Sequence, residues 1–300
     1  MKIDGHEIEI SNEDKIFFPD EGIRKGDLIE YYRRMAERMR PYLAQRPVMM
    51  HRFPDGIDHE GFYQKQAADY FPDWMERIEV DLKQPGETRS MPVCSGAADL
   101  VYLANLATIT LHVWLSRRPQ LNRPDRMILD LDPPGDDFAP VRNGAQALHA
   151  LLDKIGLAAF VMTTGSRGLH VTVPLRREND FDAVRDFARD VARHLATEAP
   201  EHFTVEQRKD RRGDRLFLDY LRNAYGQTAV APYSVRPLSG APVAAPLDWQ
   251  EIADRDLTSG RYHMGNIFRR LGQKEDPWEE LPRMARSLTG PRRRLNALQE

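Results

Sequence analysis

Two aspartates interrupt an apolar strand. Residues 127–134 read MILDLDPP, with Asp130 and Asp132 separated only by Leu131. The apolar run before them and the Pro-Pro after them fit a strand at 126–132. A carboxylate inside such a strand is unfavourable unless its charge is compensated. Side chains two apart on a strand share a face and lie roughly 6.5–7 Å apart. Asp130 and Asp132 therefore project together while Leu131 faces the core. Two anions side by side repel unless a cation sits between them.

Oxygen donors suit Mg²⁺ or Mn²⁺. Two such ions roughly 3.5–4 Å apart serve phosphoryl or nucleotidyl transfer. A third carboxylate usually completes the cage, and Asp219, inside the apolar segment RLFLDYLRN, is the candidate. The plainer reading also stands: an Asp before Pro-Pro starts turns, and a bare DxD occurs in glycosyltransferases and in proteins without catalytic roles. Asp130, inside a Met-Ile-Leu run, fits the turn reading poorly.

The 300 residues can bury a sizeable core, as one large domain or two small ones. Without a linker-like stretch, one domain is expected over 1–300, with a core at about 10–270 and a helical tail at 271–300. The net charge of −3 neither announces nor excludes a nucleic-acid partner. A single cysteine, Cys94, rules out an internal disulfide and a cysteine-based zinc cluster. No apolar run spans a bilayer and the N-terminus lacks a signal core, so the chain reads as soluble and intracellular.

Periodicity predicts helices at 25–43, 96–108, 138–156 and 179–198. It predicts strands at 5–10, 47–53, 109–115, 126–132, 158–164, 169–175 and 216–221. ITLHVWL alternates, so 109–115 is expected to be half-buried. The order is mixed α+β, with polar strand residues in the middle of the chain.

Basic and polar residues surround the acids in sequence. Ser166, Gly168 and His170 form SRGLH at a turn-to-strand entry, where free backbone N–H groups can hold phosphate. A tight turn followed by an ordinary histidine explains it equally, and His112 shares that ambiguity. Arg222 follows Asp219 by three residues and Arg236 ends VAPYSVR; guanidinium groups clamp phosphates. QRKDRRGDR (207–215) is either a solvated loop or a backbone-tracking patch. GFYQKQ pairs Phe62 and Tyr63 with Lys65, a stacking platform or core packing. Walker and GxGxxG motifs are absent from the sequence.

DLDPP, SRGLH, LFLDYLRN and VAPYSVR, in this order, resemble the archaeo-eukaryotic primase superfamily. Within it they are most similar to the polymerase domain of bacterial DNA ligase D. The resemblance runs from about residue 10 to 270 and includes EDKIFFPDEGIRKGDLIEYY, FPDGIDHEGFYQKQ and LHVWLSRRPQLNRPDRMILDLDPP. It implies a primase-like α+β core with two sheet-containing lobes around a central cleft.

It further implies that Asp130, Asp132 and Asp219 are metal-binding catalytic acids. His112, Ser166, His170, Arg222 and Arg236 would hold an incoming triphosphate, and Phe62 would stack near the base pair or template. Lys15 and Lys25 would recognise a 5′-phosphate at a break. The implied cofactors are Mn²⁺ or Mg²⁺, with NTPs preferred over dNTPs. The implied partners are gapped or broken DNA, Ku, and a separate or fused ATP-dependent ligase, in the bacterial cytoplasm at the nucleoid. One departure is Gly226-Gln227-Thr228, where some relatives carry a lysine. Other readings of the same acids are an initiating primase, a non-catalytic end-binding module and a phosphoesterase.

Overall fold

Helix α1 forms at Lys25–Leu43 in the computed structural model, which describes residues 1–82 and 86–298. Leu28, Tyr32, Met35 and Met39 recur every three or four residues and are all buried, as a helix facing a core requires. The Asp27 carboxylate accepts the Arg24 N–H at 2.8 Å and secures the first turn. Pro41 lies inside the last turn, which continues to Leu43.

The chain forms two units. The first comprises residues 1–118, 228–244 and 262–268. Its main sheet is antiparallel, in the order Thr228–Val230, Thr108–Trp114, Val48–Arg52, Phe62–Gln64. A separate strand pair joins Arg77–Asp81 to Thr88–Pro92, an element the periodicity did not reveal, and helix α2 follows at Ala97–Asn105. Tyr32 ties α1 to this unit's sheet, its hydroxyl donating to the Ile109 carbonyl at 2.5 Å. The same oxygen accepts the Val235 N–H at 3.1 Å, and burial pushes the phenol pKa up to about 12. Ser234 Oγ accepts the Leu111 N–H at 2.8 Å. Tyr233, fully buried, adopts φ +66°. Most of PYSVR is therefore fastened to α1 and to the Thr108–Trp114 strand.

The second unit comprises residues 119–227, 245–261 and those from 269 onward. Its six strands run in the order Phe203–Thr204, Leu216–Asp219, Arg126–Asp132, Leu169–Pro174, Phe160–Thr163, Pro246–Leu247. All pairs are antiparallel except the first. Helices α3 (Ala139–Lys154) and α4 (Phe181–Glu198) pack on this sheet. Asp180 caps α4 by accepting the Ala183 N–H at 2.8 Å. Leu131 is fully buried on the face opposite the acids and meets α3 where Gly144 leaves room.

The α+β class holds, with one main sheet in each unit. Two local expectations change. The strand at 108–114 is buried on both faces, with only His112 half-open, because its second face is covered as well. The Asp219 strand stops at Asp219 instead of running to Leu221. Asp219 Oδ1 accepts the Leu221 N–H at 2.7 Å, a local turn that diverts the chain into the short 3₁₀ segment Leu221–Asn223. No helix among the described residues is long and apolar enough to cross a membrane.

Candidate active site

Asp130 has Asp219 directly opposite on one neighbouring strand and His170 directly opposite on the other. Directly paired residues share a face. Asp219, Asp130 and His170 thus form a row across the sheet, with Asp132 two residues along on the same side. Strand register alone brings together acids 87 to 89 positions apart in sequence, 219 − 132 and 219 − 130.

Asp130 is 4% exposed. Arg222 Nε donates to its Oδ2 at 3.1 Å, and His170 Nε2 lies 3.5 Å from Oδ1. Burial alone would raise its pKa, but His170 and Arg222 outweigh burial and hold it down at about 2. Its Oδ1 is buried without a hydrogen-bond partner, as is Nδ1 of His170. Asp132 and Asp219 are shifted the other way. Loss of hydration and the Asp130 charge raise both, against downward pulls from the Leu221 N–H at Asp219, from His170 at Asp132 and from Arg222 at each. The site therefore holds more negative charge than its own cations balance.

That imbalance, three carboxylates and an unsatisfied buried oxygen fit a hard divalent cation. Among the described residues no three His, Cys, Asp or Glu side chains already stand in a metal-holding arrangement. Asp130 is engaged by Arg222 and His170 instead.

Ser166 is half-exposed in the turn before the His170 strand. Thr164 organises this turn: its Oγ1 lies 3.4 Å from the Ser166 nitrogen and 3.2 Å from that of Gly168, and its own N–H donates to the Gly168 carbonyl at 3.0 Å. A Cβ on Gly168 would fall 1.8 Å from the Leu131 carbonyl oxygen. Here the glycine's role is to let the turn touch the Asp130 strand, rather than to admit a ligand. Asp130, Asp132, Asp219, Ser166, His170 and Arg222 all belong to the second unit.

The other candidates belong to the first unit. His112 is half-buried in the Thr108–Trp114 strand, and Arg236 follows the PYSV turn, its N–H donating to the Pro242 carbonyl at 2.7 Å. Phe62 is not core: it is 47% exposed on an edge strand, with the Arg52 guanidinium 5.3 Å from its ring. Tyr63 is 56% exposed and stacks on His51 at 4.0 Å between ring centres.

Lys15 and Lys25 come together because the Lys25 N–H donates to the Lys15 carbonyl at 2.8 Å. Lys15 pairs with Asp55 at 2.6 Å. Lys25 is 4% exposed, with its ammonium on the Ser11 carbonyl and hydroxyl; burial and Lys15 lower its pKa. The basic run 207–215 largely binds itself. Arg212 lies 3.8 Å over the Phe217 ring and donates to the carbonyls of Glu206 and Gln207.

Two residues carried no sequence signal. Asn223 is fully buried and bonded to Ile128, two residues before Asp130. His51 supports Tyr63; burial and then Arg236 lower its pKa to about 4. Each takes its role from a contact distant in sequence.

Comparison with known proteins fits this arrangement. The family described as LigD, primase-polymerase domain, matches residues 24–278. The multifunctional non-homologous end joining protein LigD of Pseudomonas aeruginosa is 34% identical over 293 residues, 97% of this chain and 34% of its own length. The bifunctional non-homologous end joining protein LigD of Bacillus subtilis is 31% identical over 273 residues, 90% of this chain and 43% of its own. The chain thus spans about a third to two-fifths of these relatives. The polymerase domain of Mycobacterium tuberculosis ligase D, solved in complex with DNA, superposes with a TM-score of 0.87 at 31% identity, covering 93% of this chain and 99% of that one. With the family pattern matched across most of its length, this chain belongs to the LigD primase-polymerase family.

Proposed function

We propose that this chain is a template-directed nucleotidyltransferase that extends a DNA 3′-hydroxyl at gaps and broken ends, with ribonucleotides preferred. The observation that carries the reading is the row Asp219, Asp130, His170, with Asp132 beside it. Membership of a family whose relatives are named for end joining adds to it.

Asp130, Asp132 and Asp219 would hold Mn²⁺ or Mg²⁺. Bound there, the ions would lower the pKa of the attacking hydroxyl and neutralise the leaving pyrophosphate. The chain's own groups do the rest. Arg222 and His170, beside Asp130, bind phosphate oxygens, and the Ser166 turn offers a hydroxyl. The fixed strand register keeps the acids in place before substrate arrives, which avoids reorganisation during the reaction.

The nucleotide-binding roles of His112, Arg236 and Phe62 rest on the family resemblance. So does recognition of a 5′-phosphate by Lys15 and Lys25, as do the partnership with Ku and a ligase and the cytoplasmic location. A 5′-phosphate would compete with Asp55 for Lys15.

The test is primer extension on a gapped duplex bearing a 5′-phosphate, comparing NTPs with dNTPs and Mn²⁺ with Mg²⁺. Templated ribonucleotide addition that vanishes in Asp130→Ala is expected. Binding to the phosphorylated end without addition would make the chain a recruitment module instead.

A further inference from the structure

The segment at residues 9–15 carries Lys15 and the groups that hold the Lys25 ammonium, and it lies between two helices of the first unit. On one side the first turn of α1 reaches it. The Lys25 N–H donates to the Lys15 carbonyl at 2.8 Å, and the Gly26 N–H to the Glu13 carbonyl at 2.9 Å. On the other side stands Asn105, the last residue of α2. Its amide oxygen accepts the Ser11 N–H at 3.1 Å, and its amide nitrogen donates to the Glu9 carbonyl at 2.8 Å. We propose that Asn105 is a positioning residue for 5′-phosphate recognition, acting through Ser11 on Lys25. The inference rests on the assignment of Lys15 and Lys25 to that phosphate and deepens it.

Three contacts in series carry the argument. Asn105 bonds the two backbone groups that flank Ile10, which have no other hydrogen-bond partner among the described residues. Ser11 in turn meets Lys25 twice: the lysine Nζ donates to the Ser11 carbonyl at 2.5 Å and lies 3.2 Å from its hydroxyl. A lysine ammonium is a point charge on a flexible stem, so its acceptors decide where it sits. It carries three N–H groups; Ser11 takes two and leaves one for a phosphate oxygen. Moving the Ser11 carbonyl therefore moves the remaining donor.

Burial sharpens this dependence. Lys25 is almost fully buried, so water does not freely replace a lost acceptor, and burial together with the Lys15 charge lowers its pKa. Glu9 and Ser11 are exposed and Asn105 is half-buried. Water can take over the backbone groups that Asn105 releases, so the fold survives the loss while the geometry at Lys25 does not. At the other end of α2, Asp4 accepts the Ala98 N–H at 3.0 Å and keeps the N-terminal segment docked in such a variant.

The test measures binding of the full chain to a gapped duplex ending in a 5′-phosphate or a 5′-hydroxyl, by fluorescence anisotropy at constant salt. Wild type is compared with Asn105→Ala, Asn105→Leu, Asn105→Gln, Lys25→Met and the Asn105→Ala/Lys25→Met double variant. Asn105→Ala is expected to weaken binding of the phosphorylated end roughly fivefold, part of the roughly tenfold or more that a lost charged hydrogen bond carries, and to leave the 5′-hydroxyl end unchanged. Asn105→Leu fills similar space without hydrogen bonds and is expected to match it; it reads the same contact should the alanine variant be unstable. Asn105→Gln, which keeps the amide, recovers part of the loss. In the Lys25→Met background the asparagine substitution costs nothing further, because both act on one contact.

A phosphate preference in Asn105→Ala and Asn105→Leu equal to that of wild type overturns the inference and keeps the assignment of the two lysines. Two other results also overturn it: a loss shared equally by the 5′-hydroxyl end, which marks a general effect on the fold, and a loss that adds fully to that of Lys25→Met. Wild type without any preference for the phosphorylated end overturns the assignment itself, and the inference with it.

Discussion

The side-chain amide of Asn223 grips Ile128 at both backbone groups, accepting its N–H at 2.9 Å and donating to its C=O at 2.7 Å. The Asp219 strand pairs with Asp130 through Asp132 and then ends. Asn223 continues the ladder where that strand stops, so two buried backbone groups keep partners. Asn223→Ala is expected to destabilise the chain by about 3 kcal/mol, from unpaired polar groups in the interior. Urea denaturation checks this; a change under about 0.5 kcal/mol, the size of an ordinary surface substitution, would show that the grip contributes nothing.

Arg222 and Asp130 are unequal partners. Side-chain exposure is 43% for the arginine and 5% for the aspartate. Arg222→Ala leaves a buried carboxylate without its guanidinium and should cost about 3 kcal/mol. Asp130→Asn leaves an arginine that water can reach and should cost less, while abolishing extension. The depressed Asp130 pKa contributes stability above its unfolded value of about 3.9, lost as pH falls toward 2. Arg222→Ala should shift that loss to higher pH. Equal destabilisation by both substitutions would refute the asymmetry.

Gly168→Ala tests how closely the Ser166 turn must approach the Asp130 strand. A Cβ there meets backbone, which cannot swing aside as a side chain would. A loss of at least about 2 kcal/mol is expected, with weakened nucleotide binding at temperatures where the chain is folded. Wild-type stability and KM for NTP in this variant would mean that the turn can retreat freely.

His51 makes the first unit acid-sensitive. Its folded pKa, about 4, lies below the ordinary histidine value of about 6.5, so the folded state disfavours the extra proton. Its penalty is absent above pH 6.5 and grows as pH falls toward 4. Thermal midpoints between pH 7 and 4 should therefore fall less steeply in His51→Asn than in wild type. Parallel profiles would contradict the shift.

The crowded carboxylates predict a response to cations that does not depend on turnover. Asp132 and Asp219 are raised by burial and by the Asp130 charge, so a bound divalent ion should favour their ionised forms. Mn²⁺ at pH 7 is expected to raise the thermal midpoint of wild type, and much less that of Asp219→Asn. Equal shifts in the two proteins would place the ion elsewhere.

Much of this site was legible in the residue order. MILDLDPP announced a carboxylate pair because apolar neighbours make a charge conspicuous, and RLFLDYLRN repeated the signal for Asp219. The helices at 25–43 and 179–198 followed from one-sided apolar spacing. Phe62 was ambiguous because stacking platforms and cores use the same residue, and only its exposure separates them. Asn223 was silent: a buried asparagine and an exposed one look alike in any polar stretch.

Sequence by itself determined which residues bear charge inside apolar strands, where the main helices and strands lie, and that Asp130 and Asp132 share a face. These are local properties, set by side-chain chemistry and backbone period. Tertiary structure decided that Asp219 and His170 flank Asp130, that Arg222 rather than another arginine compensates it, and that Gly168 must be a glycine. Those depend on strand order and register, which arise from packing between segments tens of residues apart and leave no periodic trace in the chain.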